Sequence, residues 1–369
     1  MLIRRTWMSW LAILFLLLSH TPHRAQHQTN IPPNQLRKVE AIIEAVMRRD
    51  NIPGLSVAVV SNERLRWSKG YGLSDLENAV PAKAGTVYRL ASVSKTITAT
   101  AAMQLFERGK LDLDAPVQKY CPAFPHKQWP VTSRQLLGHL GGIRHYRQNG
   151  DDFEITRHYA GVSDSLDVFK ADPLLHEPGT KYLYSSYGYN LLGCVIEGAS
   201  GMKYADYVRE NIFKPAGMDR IRVDDHFEII PNRAQGYQKN ARGELRNSGL
   251  LDTSYKIPAG GLASTVEDIA RFAIALEKGI LVKPETLVKM WTRQRTRDGE
   301  ETSYGLGWRL SEENGRKAVW HSGRQQRVST LLYIEPDRKL AVVLMSNLED
   351  AVGGLSEIAH EIAKTLGEK

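Results

Sequence analysis

Cysteine is almost missing from this chain: two residues in 369, Cys121 and Cys194. They lack CxxC spacing, and the 11 histidines form no HExxH pattern. Neither a metal site nor any other cofactor is therefore expected. No repeat with a period of 20–50 residues is visible, which excludes a solenoid or propeller. The densest basic stretch, "TRQRTRDG" at 292–299, has no interleaved aromatics. It reads as a solvated loop, and no nucleic-acid partner is expected. A membrane-length apolar run is also lacking. "WLAILFLLL", from Trp10 to Leu18, is shorter than the ~20 residues a bilayer crossing needs.

What the N-terminus does have is Arg4 and Arg5 ahead of that short apolar run. Charge first and apolar core second is the order of a secretory signal peptide. Residues 1–25 are read as a signal peptide or, if uncleaved, an anchor. Membrane contact is expected only in the second case. Cleavage after Ala25 would put His23 where a small residue is usual. Residues 26–33, "QHQTNIPP", read as a linker. Losing residues 1–25 lowers the net charge from +8 to +5, a mild excess suited to an acidic surface such as a cell wall. An exported, periplasmic or secreted protein follows. Export permits a disulfide, but an arbitrary pair seldom has the geometry. Cys194, in the apolar stretch "YNLLGCVIEGA", is expected as a buried thiol.

Residues 34–369 read as one domain. "NQLRKVEAIIEAVMRRD" (34–50) has one apolar helical face. "LSVAVVS", "NER" and "LRWSKGYG" form a predicted β-hairpin. "VYRLASVSKTITATAAMQLFERG" passes from extended chain into a helix ended by Gly109. Residues 110–255 are read as a mostly helical lobe. A helix follows at 265–279, with Asp and Glu in its first turn. "YGLGWRLS", "KAVWHSG", "STLLYIEP" and "KLAVVLMSN" are predicted strands, and a helix closes the chain at 352–366. The early hairpin and the late strands are expected to pair in one antiparallel sheet. The fold class is α+β: an antiparallel β-sheet flanked by helices, with a mostly helical lobe inserted between sheet segments.

Three elements carry chemistry. In "RLASVSKTITAT" (89–100), Ser92 and Lys95 lie three residues apart, on one helix face. Ser92 reads either as a helix cap or as a nucleophile with Lys95 as its base. A helix N-terminus would favour an alkoxide there. Ser94 has no lysine three residues on. "YLYSSYGYN" (182–190) crowds phenols together. A tyrosine near an ammonium has its pKa lowered and would serve as a general base; the plainer reading is an aromatic packing cluster. "HSG" (His321, Ser322, Gly323) reads as a strand that lets substrate lie along its edge, or as a strand end with a glycine bulge.

Taken in order, these elements resemble the serine β-lactamase and penicillin-binding-protein superfamily. The likeness spans residues 35–365 and is to its class C branch, with its D-aminopeptidases, D,D-carboxypeptidases and esterases. "PGLSVAVV", "LDLDAPVQKY", "LLGHLGGIRHY" and "PAGGLASTVEDIARF" look like family landmarks. "FPHKQWPVTSRQLLGHLGGIRHY" and "KPETLVKMWT" look closer still to the mitochondrial β-lactamase-like serine protease group, of which the chain is read as a bacterial relative. The resemblance implies that Ser92 is acylated, that Lys95 deprotonates it and that Tyr184 shares the base role. It implies an oxyanion hole from the backbone N–H groups of Ser92 and Arg324, and a carboxylate or carbonyl site at His321 and Ser322.

Three departures bear on substrate. Ser186 stands where the tyrosine motif usually has asparagine, so an amide donor and acceptor is replaced by a short hydroxyl. His321 replaces lysine, which would make carboxylate attraction pH-dependent. Arg324 and Gln325 follow Gly323, where small residues are usual; Arg324 either narrows the cleft or binds an anionic group. The expected function is a serine hydrolase working through a Ser92 acyl-enzyme on a small-molecule or peptide substrate: a peptide, D-amino-acid amide, ester or β-lactam. Peptidase or esterase action is favoured over efficient β-lactam hydrolysis. The alternative is a non-catalytic or slowly turning-over cell-wall, penicillin-binding scaffold. Oligomeric state is left open.

Overall fold

A computed structural model describes residues 31–147, 152, 155–313 and 315–367. Residues 1–25 and most of 26–33 lie outside them, so the leader and linker readings do too. Among the described residues no helix is long and apolar enough to cross a membrane.

The first helix, α1 (Pro33–Arg49), buries Val39, Ile43, Val46 and Met47, the face the spacing predicts. Strands β1 (Gly54–Ser61) and β2 (Arg64–Asp75) form the expected hairpin. Its turn places Asn62 and Glu63 in the left-handed region, as a tight hairpin demands. Short strands β3 (Val80–Pro81) and β4 (Tyr88–Arg89) lead into helix α2 (Ser94–Glu107). The late strands are β9 (Arg309–Glu313), β10 (Arg316–Gln325), β11 (Val328–Glu335) and β12 (Leu340–Ser346). The sheet order is β3-β2-β1-β12-β11-β10-β9. β1 pairs antiparallel with β12, Leu55 opposite Ser346 and Ser61 opposite Leu340. Early and late strands therefore meet at the centre, as expected.

Residues 110–255 depart from the expected helical lobe. Helices α3 (Ser133–Leu137), α4 (Val162–Ser165), α5 (Ser186–Ser200), α6 (Tyr204–Val208) and α7 (Lys214–Ala216) are mostly short. Long irregular stretches join them, with β5 (Arg222–Val223) and the hairpin β6 (Tyr237–Lys239) and β7 (Leu245–Asn247). Gly and Pro breaks cut the helical spacing before many turns accumulate. Cys121 and Cys194 are bonded in a disulfide, with Cα atoms 5.5 Å apart, which corrects the expected buried thiol. The reason lies one turn further along α5. A Cβ on Gly198 would overlap the Tyr120 carbonyl, so the glycine lets this loop lie directly on the helix beside Cys194.

After the lobe come α8 (Ile257–Gly260), β8 (Leu262–Ser264), α9 (Val266–Glu277) and α10 (Pro284–Met290). Thr265 caps α9 by accepting from the Asp268 N–H at 3.2 Å. Helix α11 (Val352–Thr365) packs with α1 against one sheet face. Helices α2, α5 and α9 belong to the core on the other.

Candidate active site

Ser92 does not cap α2. It occupies a 3₁₀ turn, Ala91–Val93, just before the helix, and no side-chain cap bond is made there. Ala91 has φ +46°, a left-handed conformation that strains any residue but glycine. The turn is held by neighbours. Leu90 donates its N–H to the Leu262 carbonyl at 2.7 Å and accepts from Thr330 Oγ1 at 2.8 Å. A Cβ on Gly323 would overlap Thr330 Oγ1 and the Leu90 carbonyl. Gly323 therefore brings β10 against the serine turn, where a bulge had been the plainer reading.

Lys95 is fully buried, its Nζ 3.1 Å from Ser92 Oγ, 3.1 Å from Ser186 Oγ and 2.7 Å from the Ala259 carbonyl. Burial, then the charges of Lys256 and Arg309, holds its pKa well below the usual lysine value. The amine is thus biased to neutrality. A neutral amine has two N–H donors and one lone pair. The Ala259 carbonyl can only accept. With Ser186 Oγ accepting the second N–H, the lone pair faces the Ser92 hydroxyl.

Tyr184 reverses an expectation. Its ring centre is 5.1 Å from Lys95 Nζ, yet its pKa is raised to about 12. Burial of the phenol dominates, outweighing the Ser92 hydrogen bond and the Arg309 charge that pull it down. Burial therefore biases Tyr184 to the phenol rather than the phenolate.

Ser185 caps α5, accepting from the Gly188 N–H at 3.0 Å. That aims Ser186 at Lys95 as well as at the cavity. His321 does not reach the cavity. Its ring is buried, with Nε2 2.9 Å from Tyr304 Oη and Nδ1 2.8 Å from the Ser322 carbonyl. The carbonyl partner assigns the proton to Nδ1. Burial first, then Lys95 and Arg309, pushes its pKa well below the usual histidine value. The expected pH-dependent carboxylate site at His321 is therefore replaced by a neutral, sealed ring. Ser322 and Arg324 do line the cavity. Arg324 is exposed at the rim and ion-paired with Asp350. β9 pairs with β10 only as far as Trp320, so Ser322–Gln325 present an edge that β9 leaves uncovered.

The cavity holds about 540 Å³, within the range of small-ligand sites. Three of its cations were not singled out from the sequence: Arg147, which is ion-paired with Asp172, Arg309 and Lys256. Arg309 lies over the rings of Tyr184, Trp320 and Tyr304, with its guanidinium carbon 5.3, 5.4 and 5.9 Å from their centres. Lys256 is buried against Tyr255 and Tyr146, and burial lowers its pKa to about 7. His145 is lowered to about 3, by burial and then by Lys95 and Lys256. "YGLGWRLS" and "SYKIPAGG" mark Arg309 and Lys256 only as a charge set among apolar and small residues.

A split antiparallel sheet with an inserted lobe, and a serine–lysine turn between them, is the architecture of β-lactamase/transpeptidase-like serine hydrolases. Residues 39–366 match the Beta-lactamase family, and the chain belongs to it. It is 33% identical to the human "Serine beta-lactamase-like protein LACTB, mitochondrial", over 81% of this chain and 71% of that one. Against the mouse and bovine counterparts the match spans 66% and 65% of their length, about two thirds. It is 30% identical to "Penicillin-binding protein 4*" of Bacillus subtilis (strain 168), over 86% and 73% of the two chains. The octameric penicillin-binding protein homologue from Pyrococcus abyssi superposes with a TM-score of 0.77 at 27% identity, covering 90% of this chain and 78% of that one.

Proposed function

We propose that the protein is a serine hydrolase that forms an acyl-enzyme on Ser92, with carboxylate-bearing amides, peptides or esters as its substrates. The observation that carries this reading is the Lys95 amine, buried, biased to neutrality and 3.1 Å from Ser92 Oγ. In the first step Ser92 Oγ attacks the substrate carbonyl carbon and its proton passes to Lys95 Nζ. The carbonyl π electrons move to oxygen, which the backbone N–H groups of Ser92 and Arg324 receive. Tyr184, still a phenol, gives its proton to the leaving nitrogen or oxygen and is reprotonated from Lys95. The C–N or C–O bond breaks and the acyl group stays on Ser92. Water then attacks that ester by the reverse relay. Arg309 and Lys256 favour an anionic substrate group at the cavity wall. Ser186, engaged with Lys95, leaves little to replace an asparagine amide, which supports peptidase or esterase action over efficient β-lactam hydrolysis. Export is part of the proposal, supported by the disulfide, since such bonds persist in oxidising compartments.

The test is intact mass after incubation with a fluorophosphonate and with a fluorescent penicillin, for the protein and Ser92→Ala. A fluorophosphonate adduct confined to the unsubstituted protein is expected. No Ser92-dependent adduct with either probe would overturn the proposal in favour of a binding scaffold.

A further inference from the structure

Close to the catalytic serine turn, but separate from its cavity, lies a second and much smaller cavity, lined by Tyr88, Arg89, Arg233, Ala234 and Arg327. It has room for about one water-sized body. Arg89 is buried, with Nε 2.7 Å from Asp224 and its remaining nitrogens donating to the Leu251 and Gln326 carbonyls at 3.0 and 3.5 Å. Arg233 donates to the Asp225 carbonyl at 2.6 Å and lies 3.4 Å from the same Asp224. One carboxylate thus serves two guanidiniums. Glu349 is engaged by the Arg327 backbone N–H and the Ser248 hydroxyl. The Nε groups of Arg233 and Arg327 are buried without a hydrogen-bond partner among the described residues. A buried donor left unpaired is costly, and both arginines line this one cavity; Asp224 Oδ1, 3.4 Å from Arg233, is an acceptor beside them left without a hydrogen bond among the described residues.

The chain maintains this arrangement against strain. Arg327 sits in the two-residue turn between β10 and β11 with φ +78°, a conformation that L side chains rarely adopt. Gly236 makes way for it, since a Cβ there would overlap the Arg327 side chain. Burial first, then the Arg89 and Arg233 charges set against Asp224 and Glu349, holds the Arg327 guanidinium below its usual range.

We infer that this cavity binds a small monovalent inorganic anion of halide size, held by Arg89, Arg233 and Arg327. A bare halide accepts hydrogen bonds from several directions and needs no donor in return, so it satisfies both orphaned Nε groups at once. Its position couples it to the serine turn. Arg89 lies three residues before Ser92, and Arg327 three residues after Arg324. The ion ties β4 to the β10–β11 turn, the two segments that flank Ser92 and the uncovered strand edge.

The experiment uses the unsubstituted protein in sodium chloride against sodium gluconate at fixed ionic strength. A saturable rise in Tm on the order of 2–5 °C is expected in chloride. Arg327→Gln should abolish that rise. Arg309→Gln should keep it, which separates this cavity from the cationic catalytic one. Crystals soaked in sodium bromide should show an anomalous peak beside Arg233 and Arg327, a readout that does not depend on any variant folding. Equal Tm in chloride and gluconate, a response lost with Arg309→Gln but kept in Arg327→Gln, or no bromide at this place would each overturn the inference.

Discussion

The two faces of the seven-stranded sheet are packed by different chemistry. Towards α1 and α11 the sheet turns Leu55, Val57, Val59, Leu331, Val342 and Leu344, and the helices answer with Val39, Ile43, Leu355, Ile358 and Ile362. Towards α2, α5 and α9 it turns Ala58, Val60, Leu332, Val343 and Met345. Beyond that second apolar layer lie buried Lys95, Lys256, His139 and His321. Burying a lysine or histidine in place of an apolar side chain disfavours its charged form and weakens packing. The first face is closed by apolar packing. The second gives up some stability to hold an amine neutral and a set of cations close together, the pattern expected where a fold carries a site.

Truncations on the two faces should therefore separate activity from stability. Lys95→Met removes the proposed base and is expected to lower turnover of an activated ester by roughly 10³-fold, within the span of general-base effects. Its unfolding midpoint should hold or rise, because a buried amine gives way to an apolar chain of similar length. Leu344→Ala should do the reverse: a loss of about 2–5 kcal/mol in a denaturant melt, with the folded fraction turning over normally. If Lys95→Met proved as destabilising as Leu344→Ala, the buried polar cluster would be structural and the contrast between the faces would collapse.

The disulfide falls on the side of the site. Cys121 and Cys194 are 73 residues apart and fasten a loop to α5, the helix that carries Ser186. Closing a loop of that length stabilises by about 4 kcal/mol on the chain-entropy account. The α1/α11 face is held by apolar packing instead. Cys121→Ala with Cys194→Ala should lower stability by up to that amount in urea and reduce ester turnover through a looser α5. A double variant that melts with the unsubstituted protein would show that the lobe needs no such tie.

The same contrast governs what could be read in advance. The α1 face and the β1–β2 hairpin were legible because apolar spacing alone produces them, and the joining of early and late strands in one sheet followed from short apolar runs at the two ends; that β12 is the strand beside β1 did not. Ser92 and Lys95 were legible because i and i+3 meet on any helix. Charge state was not. Proximity of an ammonium suggests a depressed Tyr184 pKa, but the burial that raises it, and that neutralises Lys95, comes from segments far along the chain. His321 likewise looked like a substrate contact, until Tyr304 and its own neighbour's carbonyl took both ring nitrogens. Arg309 and Lys256 acquire meaning only from rings brought to them by the lobe. The cysteine pairing depended on Gly198, whose lack of a Cβ is visible in sequence but whose neighbour is not.

The smallest effect expected is also the most specific, and it concerns Lys256. Its pKa is near 7 when folded against the usual ~10.4 when unfolded. Below about pH 7 it is charged in both states. Between about 7 and 10 the unfolded chain holds a proton that the folded chain lacks, so this group's contribution to stability rises with pH there. Activity should move the other way for anionic substrates. Loss of the Lys256 charge as pH rises through 7 removes one of the attractions at the cavity wall, and KM for a carboxylate-bearing ester should rise a few-fold, by ~1 kcal/mol or less. A neutral ester of the same acyl group should show no such rise. Lys256→Met should flatten the difference between the two substrates and remove its share of the stability slope, leaving the α1/α11 face untouched. Should both substrates keep identical KM profiles in the unsubstituted protein, Lys256 would be a packing residue with an unusual pKa, and any carboxylate preference would rest on the arginines of the cavity wall.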